Sequence, residues 1–312
     1  MARKVLVTGG AGFIGSNIAK RLVQDGRRVI VLDNLATGSD SNVPQGAEFI
    51  KGDIGDYELV KNILADEVEV VYHLAASASV IIGAKEPVFD LENNVKGTVI
   101  LLQAMKARGV KKILFPSSST VYGENELPNQ EDSKLNPMSP YAVGKIADEY
   151  YLKSYANMYG LEPIIFRIFN AFGPGQDPNN AEQGITGYLI GCLFQDKEFV
   201  LQGDGQQTRD YIYIGEVVEA FVRAEKIPAA INQIMNLAGN TRTSLNDWIA
   251  LIEEAANKKL KIKTGQPDRL ADVKHYQADN SQLQQILNFK PTVDFKNQLL
   301  KTINWARAQM NK

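Results

Sequence analysis

The chain of 312 residues predicts an α/β fold, a doubly wound parallel sheet with a smaller C-terminal α/β domain. Three observations carry the prediction. Apolar runs of strand length alternate with amphipathic stretches of helix length through the first 170 residues, the pattern of parallel crossover units. The first run stops at a glycine cluster and leads directly into a helical repeat. After Asn170 the rhythm changes: the turn-rich Gly173-Pro174-Gly175-Gln176-Asp177-Pro178-Asn179-Asn180 opens a region of shorter, mixed elements.

The elements follow in order. Lys4-Val5-Leu6-Val7-Thr8 reads as a buried strand. Phe13, Ile14, Ile18, Ala19, Leu22 and Val23 recur at helical spacing over 13–24. Strands follow at 28–33, 48–51 and 68–73, with a helix at 57–65. Residues 86–108 read as one long helix, 112–115 as a strand, 140–159 as a helix and 163–167 as a sixth strand. Later elements are expected near 184–195, 198–201, 215–226, 233–237, 244–257 and 294–309. The stretch 211–237 is expected to return to the sheet. No internal repeat and no biased linker interrupts the chain.

Composition removes several function classes. Lys and Arg number 34 against 36 Asp and Glu, so the net charge of -2 offers no general attraction to nucleic acid or anionic membrane. The lone Cys192 has no partner for an internal disulfide, which suits a reducing cytosol. With His73 and His275 as the only histidines, a structural zinc site is not expected. No secretory leader is expected, because Val5-Leu6-Val7 runs straight into glycines. The longest apolar-leaning stretch, 68–83, is broken by Glu69, His73, Ser77 and Ser79, short of the ~20 residues of a membrane helix.

Thr8-Gly9-Gly10-Ala11-Gly12-Phe13-Ile14-Gly15 places glycines at the strand-to-helix turn. Such a turn brings backbone close to a pyrophosphate and points the free amides of a helix N-terminus at it. Asp33 ends the next strand, where a carboxylate binds ribose hydroxyls and repels a 2′-phosphate. No Lys or Arg occurs from Asn34 to Val43, so NAD is favoured over NADP. The fold is thus of Rossmann type. Asp53 is placed either to meet an adenine edge or to cap the helix before Tyr57.

Tyr141 and Lys145 stand four apart, on one face of a helix. A neighbouring ammonium lowers a phenol's ordinary pKa of about 10 and makes it a usable base. Tyr57 and Lys61 share the spacing. Context separates the two pairs: Tyr141 follows Ser117-Ser118-Ser119-Thr120 at the end of the fifth strand, where open parallel sheets place ligands.

With these residues the chain resembles the extended short-chain dehydrogenase/reductases, and among them the nucleotide-sugar epimerases of the UDP-glucose 4-epimerase type. The resemblance runs along essentially the whole chain. It rests on Thr8–Gly15, Asp33, Asp53-Ile54, His73-Leu74-Ala75-Ala76, Asn94-Val95-Lys96-Gly97-Thr98, Ser117–Gly123, Tyr141–Lys145, Arg167-Ile168-Phe169-Asn170, Gly203–Tyr211 and the segment 269–273. It implies an NAD-binding domain over 1–170 and a nucleotide-sugar-binding domain over 171–312. Gly9, Gly12, Phe13, Ile14, Gly15, Asp33, Asn34, Asp53, Ile54, Leu74, Ala75, Ala76, Asn94, Tyr141 and Lys145 would hold NAD. Ser118 would bond the sugar C4 oxygen, Tyr141 take its proton, and Lys145 hold the nicotinamide ribose. Asn170, Arg209 and Arg269 would meet the diphosphate, as a guanidinium fork suits. Read without the family, each arginine is better explained by a surface ion pair.

Relatives diverge after a shared oxidation. Dehydratases carry an Asp-Glu pair after the serine or threonine, and decarboxylases a Glu. Here Ser119 and Thr120 stand there, and neither serves as a carboxylic acid or base. The resemblance therefore implies 4-epimerisation of UDP-glucose and UDP-galactose, with a UDP-glucuronate or UDP-N-acetylhexosamine 4-epimerase, or another nucleotide-sugar oxidoreductase or dehydratase, as the alternatives. Tyr276, a bulky residue at the family's sugar wall, favours the unsubstituted hexose; a core aromatic unrelated to the pocket is the less favoured alternative. Gly83 stands where the family often has Ser, and Ile168 replaces a common aromatic. The helices at 86–108 and 140–159 resemble those that pair two subunits, so a homodimer is expected.

Overall fold

A computed structural model describes residues 3–181, 184–267 and 273–310. In chain order the elements are β1 Lys4–Thr8, α1 Phe13–Gln24, β2 Arg28–Asp33, β3 Glu48–Lys51, α2 Tyr57–Leu64 and β4 Val68–His73. Next come α3 Val80–Lys85, α4 Pro87–Leu91, a π-helical turn Glu92–Lys96, α5 Gly97–Arg108, β5 Lys112–Ser118 and α6 Pro140–Tyr159. β6 Glu162–Ile168, β7 Asn170–Phe172, α7 Ile185–Phe194, β8 Glu198–Gln202, β9 Thr208–Arg209, β10 Tyr211–Tyr213 and α8 Ile214–Lys226 follow. The last are β11 Ile234–Leu237, β12 Thr243–Ser244, α9 Leu245–Ala256, β13 Lys261–Gln266, α10 Ser281–Leu287 and α11 Phe295–Met310.

Seven parallel strands form the central sheet in the order β11-β6-β5-β4-β1-β2-β3. The order reverses between β1 and β4, and the crevice beyond the strand ends at such a point is where doubly wound sheets bind ligands. β1 is buried at all five positions because helices cover both faces. One face packs Ile18 and Leu22 of α1 with Val217 and Phe221 of α8. The other packs Val60 of α2, Leu101 and Met105 of α5 and Leu152 of α6. A separate core under the C-terminal elements centres on Trp248, whose ring stacks on Tyr211 at 3.7 Å between centroids and whose Nε1 donates to Thr186. No helix among the described residues is long and apolar enough to cross a membrane.

The helix expected over 86–108 runs without a gap from Pro87 to Arg108, and what the sequence did not foresee is the π-helical turn Glu92–Lys96 inside it. Pro87 has no N–H to continue a helix from α3 and opens α4 instead. The π turn then widens the ladder, and Asn94 inside it turns its amide onto Ser77, accepting from Ser77 N at 2.8 Å and donating to Ser77 O at 3.2 Å. The ordinary ladder resumes at Gly97, where a Cβ would sit 2.9 Å from Ile54 Cγ2. α3, β7, β9, β10, β12, β13 and α10 were not expected from the sequence.

Candidate active site

A cleft of about 960 Å³ opens at the carboxyl ends of the central strands and runs under the C-terminal elements. The glycine turn forms its floor. Gly9 has a φ of +67°, and a Cβ on it would lie 2.5 Å from Ala75 N. On Gly15 a Cβ would lie 2.2 Å from Gly9 O, so the start of α1 is pressed against the end of β1. α1 begins at Phe13 after Gly12, which has no side chain to cap its first amides, and this leaves N–H groups to meet an anion. Asp33 Oδ2 accepts from Ala11 N at 2.9 Å and Oδ1 from Leu35 N at 2.8 Å. Both oxygens keep lone pairs for a diol.

Gly9, Gly12, Phe13, Ile14, Gly15, Asp33, Asn34, Asp53, Ile54, Leu74, Ala75 and Ala76 all line this cleft. Asp53 accepts from Asn34 Nδ2 at 2.8 Å and from Gly55 N at 2.7 Å. The cap of α2 is Asp56, which accepts from Leu59 N, so the capping alternative for Asp53 falls away. Asn94 is not on the cleft wall. It is 2% exposed and holds Ser77, which is. The uncapped amides, the close backbone and the diol-ready carboxylate together fit a dinucleotide.

Ser118, Tyr141 and Lys145 meet at the other end of the cleft. Ser118 ends β5, and its hydroxyl accepts from Thr120 N at 3.2 Å and Thr120 Oγ1 at 2.9 Å. Tyr141 and Lys145 lie in the first turns of α6, which Ser139 caps by accepting from Ala142 N. Lys145 Nζ donates to Pro116 O at 3.0 Å, 4.5 Å from the Phe115 ring centre and 5.8 Å from that of Tyr141. The spacing predicts a phenol lowered by its lysine; the structure corrects this. Burial pushes Tyr141 up, a hydrogen bond from Ser118 opposes the shift, and Asp90 and Asp148 add to it. Burial also pushes Lys145 down, against Asp148, Asp90 and Glu149. Tyr57 and Lys61, the matching pair, are absent from this cleft, and Lys61 pairs with Glu58.

Asn170, Arg209 and Tyr276 line the cleft from the C-terminal side. Arg209 donates to Thr208 O and Lys274 O, and its guanidinium lies 5.3 Å from the Tyr276 ring centre. Tyr276 is 6% exposed and meets Phe169 edge-on. Arg269 lies outside the described residues. Gly83 is buried where a Cβ would meet Asp90 Oδ1 at 3.1 Å and Tyr141 N at 3.2 Å, so α3 packs directly on the start of α6. Sequence reasoning missed Ile81, Ile82, Met138, Tyr188, Gln202 and Gln207, which also line the cleft. The only signal was their nearness to motif residues.

The sequence matches the NAD dependent epimerase/dehydratase family over residues 5–238. A putative UDP-glucose 4-epimerase of Methanocaldococcus jannaschii is 37% identical over 97% of this chain and 98% of its own. The structure of a UDP-glucose 4-epimerase from Thermotoga maritima with UDP-glucose superposes with a TM-score of 0.93 at 34% identity, covering 98% of this chain and 99% of that one. A UDP-N-acetylglucosamine 4-epimerase from Methanobrevibacter ruminantium, in complex with UDP-N-acetylmuramic acid, also gives 0.93, at 36% identity over 99% of each chain. This chain belongs to the NAD dependent epimerase/dehydratase family.

Proposed function

We propose that this chain is a UDP-hexose 4-epimerase that interconverts UDP-glucose and UDP-galactose. The observation that carries the reading is the convergence of Ser118, Tyr141 and Lys145 in one cleft with a dinucleotide floor, and with Ser119 and Thr120 rather than acids beside Ser118. Among the described residues the acids on the cleft wall are Asp33, Asp53 and Glu86. The first two belong to the dinucleotide end and Glu86 comes from the α3–α4 junction, so the residues that follow Ser118 in the chain, Ser119 and Thr120, supply no acid to expel a hydroxyl.

Gly9–Gly15 would hold the pyrophosphate of NAD, Asp33 its adenosine ribose and Lys145 its nicotinamide ribose. When bound, NAD supplies the two-electron acceptor and donor that turn the C4 alcohol into a ketone and back. Ser118 orients the C4 oxygen and donates to the Tyr141 oxygen as charge develops there. Tyr141, protonated in the ligand-free protein, would first release its proton to solvent once the positive charge of NAD stands beside it. The phenolate would then take the C4 proton, hold it while the sugar is a ketone and return it afterwards. Asn170 and Arg209 bind the diphosphate, with Arg269 assigned by resemblance. Val80, Ile81, Ile82, Met138 and Ile168 wall the space beyond Tyr141. Apolar walls make no directional bonds, so a keto sugar can turn over between them while its diphosphate stays fixed. Tyr276 narrows the sugar end and favours a hexose without an N-acetyl group.

Purified protein given UDP-glucose should form UDP-galactose with no added reductant. Tyr141→Phe should lower turnover by about 100-fold or more, the scale of a lost acid–base group. Full activity in that variant refutes the assignment.

The division at 170/171 into a cofactor-binding and a sugar-nucleotide-binding domain is part of this proposal. So is a homodimer. Val88 and Leu91 of α4 and Val143, Tyr150 and Tyr151 of α6 are exposed on two helices in contact with each other. A second copy of the chain covering this face would bury them. Sedimentation should give a dimer, and a monomer alone excludes it.

A further inference from the structure

Asp148 lies one turn beyond Lys145 on α6, so Tyr141, Lys145 and Asp148 share one face of the helix. It is 1% exposed, and neither carboxylate oxygen has a hydrogen-bond partner among the described residues. Thr98 of α5 faces it and eases its charge; the same hydroxyl meets His73 Nε2 at 3.1 Å, and it is a single neutral group beside a carboxylate that otherwise has no donor. A buried carboxylate with no donor is costly. The other buried acids of this site are satisfied: Asp90 accepts from Asn94 Nδ2 at 3.0 Å, and Glu149 from Arg167 and Ser117.

We propose that Asp148 is a positioning residue whose carboxylate is the counter-charge that keeps Lys145 protonated and aimed into the cleft. The inference rests on the epimerase reading, in which Lys145 must be an ammonium to hold a ribose. Lys145 is 3% exposed, its ammonium donates to the neutral Pro116 O, and burial alone favours its uncharged amine. Asp148 opposes that most strongly, ahead of Asp90 and Glu149.

Asp90 reaches Lys145 from α4 but is fastened by Asn94. His73 comes from β4; burial first, and then Lys145, holds it down to about 3, so it stays neutral. Glu149, on α6 itself, is neutralised by Arg167 of β6. Tyr141 is protonated at rest. Asp148 is pushed up to about 6 by burial, so it is ionised at neutral pH and above, where Lys145 needs it.

The test uses the full chain carrying Asp148→Asn, with Asp148→Ala in its place if the amide does not pack. The alkaline limb of kcat/KM for UDP-glucose should move to lower pH by about one unit, a tenfold loss above both limbs. NAD binding should weaken at pH 8.5 by about the same factor and recover as the pH is lowered and Lys145 takes up its proton. Asp148→Glu, which keeps the charge, should restore both. An unmoved limb with unchanged NAD affinity in the asparagine variant overturns the proposal, as does a glutamate variant that behaves like the asparagine one. Absence of turnover in the parent protein on any UDP-hexose would instead overturn the epimerase reading, while the NAD arm still decides the role of Asp148.

Discussion

Glu149→Gln should destabilise the protein far more than its isosteric shape suggests. Arg167 meets Glu149 through two parallel bonds, Nε to Oε1 at 2.9 Å and Nη2 to Oε2 at 2.8 Å, with the side chains 3% and 2% exposed. Ser117 adds a third donor to the same carboxylate at 2.6 Å. The guanidinium continues to Tyr122 Oη and Glu131 O, and Tyr122 donates to Asn236 Oδ1, so one polar chain ties α6, β5, β6 and β11 together. An amide in place of the carboxylate removes the compensating charge and turns an N–H toward one that is already donating. Breaking one partner of a buried pair costs about 3–5 kcal/mol. At about 2–4 °C per kcal/mol for large domains, the unfolding midpoint should fall by roughly 6–20 °C. The assay is thermal unfolding followed by circular dichroism at pH 7.5, for the parent, Glu149→Gln and the double variant Glu149→Met with Arg167→Met. Removing both charges should recover much of the loss, because the desolvation of each is then no longer required. A single variant that melts within about 2 °C of the parent, below the scale of a broken buried pair, would refute the reasoning.

Two further substitutions test the two ends of the cleft. Asp33→Asn keeps the shape but loses the charge and one acceptor at the ribose end; charged hydrogen bonds contribute about 1.5–3 kcal/mol, so NAD affinity should fall roughly 10- to 100-fold by calorimetry. Affinity equal to the parent's would show that Asp33 does no more than tie Ala11 and Leu35 together. Tyr276→Ser should widen the sugar end and shift the kcat/KM ratio toward UDP-N-acetylglucosamine by about tenfold or more, the scale of a relieved steric wall. A ratio that does not move would return Tyr276 to the plain role of packing against Phe169.

The parts of this molecule that were legible in the sequence are those written in local pattern. β1 announces itself as an unbroken apolar run because both faces of the sheet are covered, and the glycines beyond it mark where backbone must approach backbone. Asp33 is legible because it ends a strand of the same kind. The helix that starts at Pro87 was legible too, but the π turn inside it was not, because an apolar repeat of helical period does not distinguish the ordinary ladder from the wider one that turns Asn94 onto Ser77. β13 was invisible for a different reason: all six of its residues are exposed, so it has no buried face to alternate, and only its pairing with β8 makes it a strand.

The active site shows the same division at the level of charge. The spacing of Tyr141 and Lys145 correctly places a phenol and an ammonium on one helical face, and it leaves Tyr57 with Lys61 as an equal match. What separates the pairs is supplied from far along the chain: Ser118 from β5, Asp90 from α4, and the burial of α6 beneath both. The same surroundings reverse the expected direction for Tyr141, since desolvation and two carboxylates oppose its ionisation while only Ser118 favours it. A base that resists ionisation at rest yields its proton only when positive charge arrives beside it, and a lysine that burial tends to discharge keeps its own proton only while a carboxylate stands behind it. The cleft is therefore built so that neither half of the motif is poised alone. That is why the four-residue spacing, however regular, is a necessary part of the site and never a sufficient one.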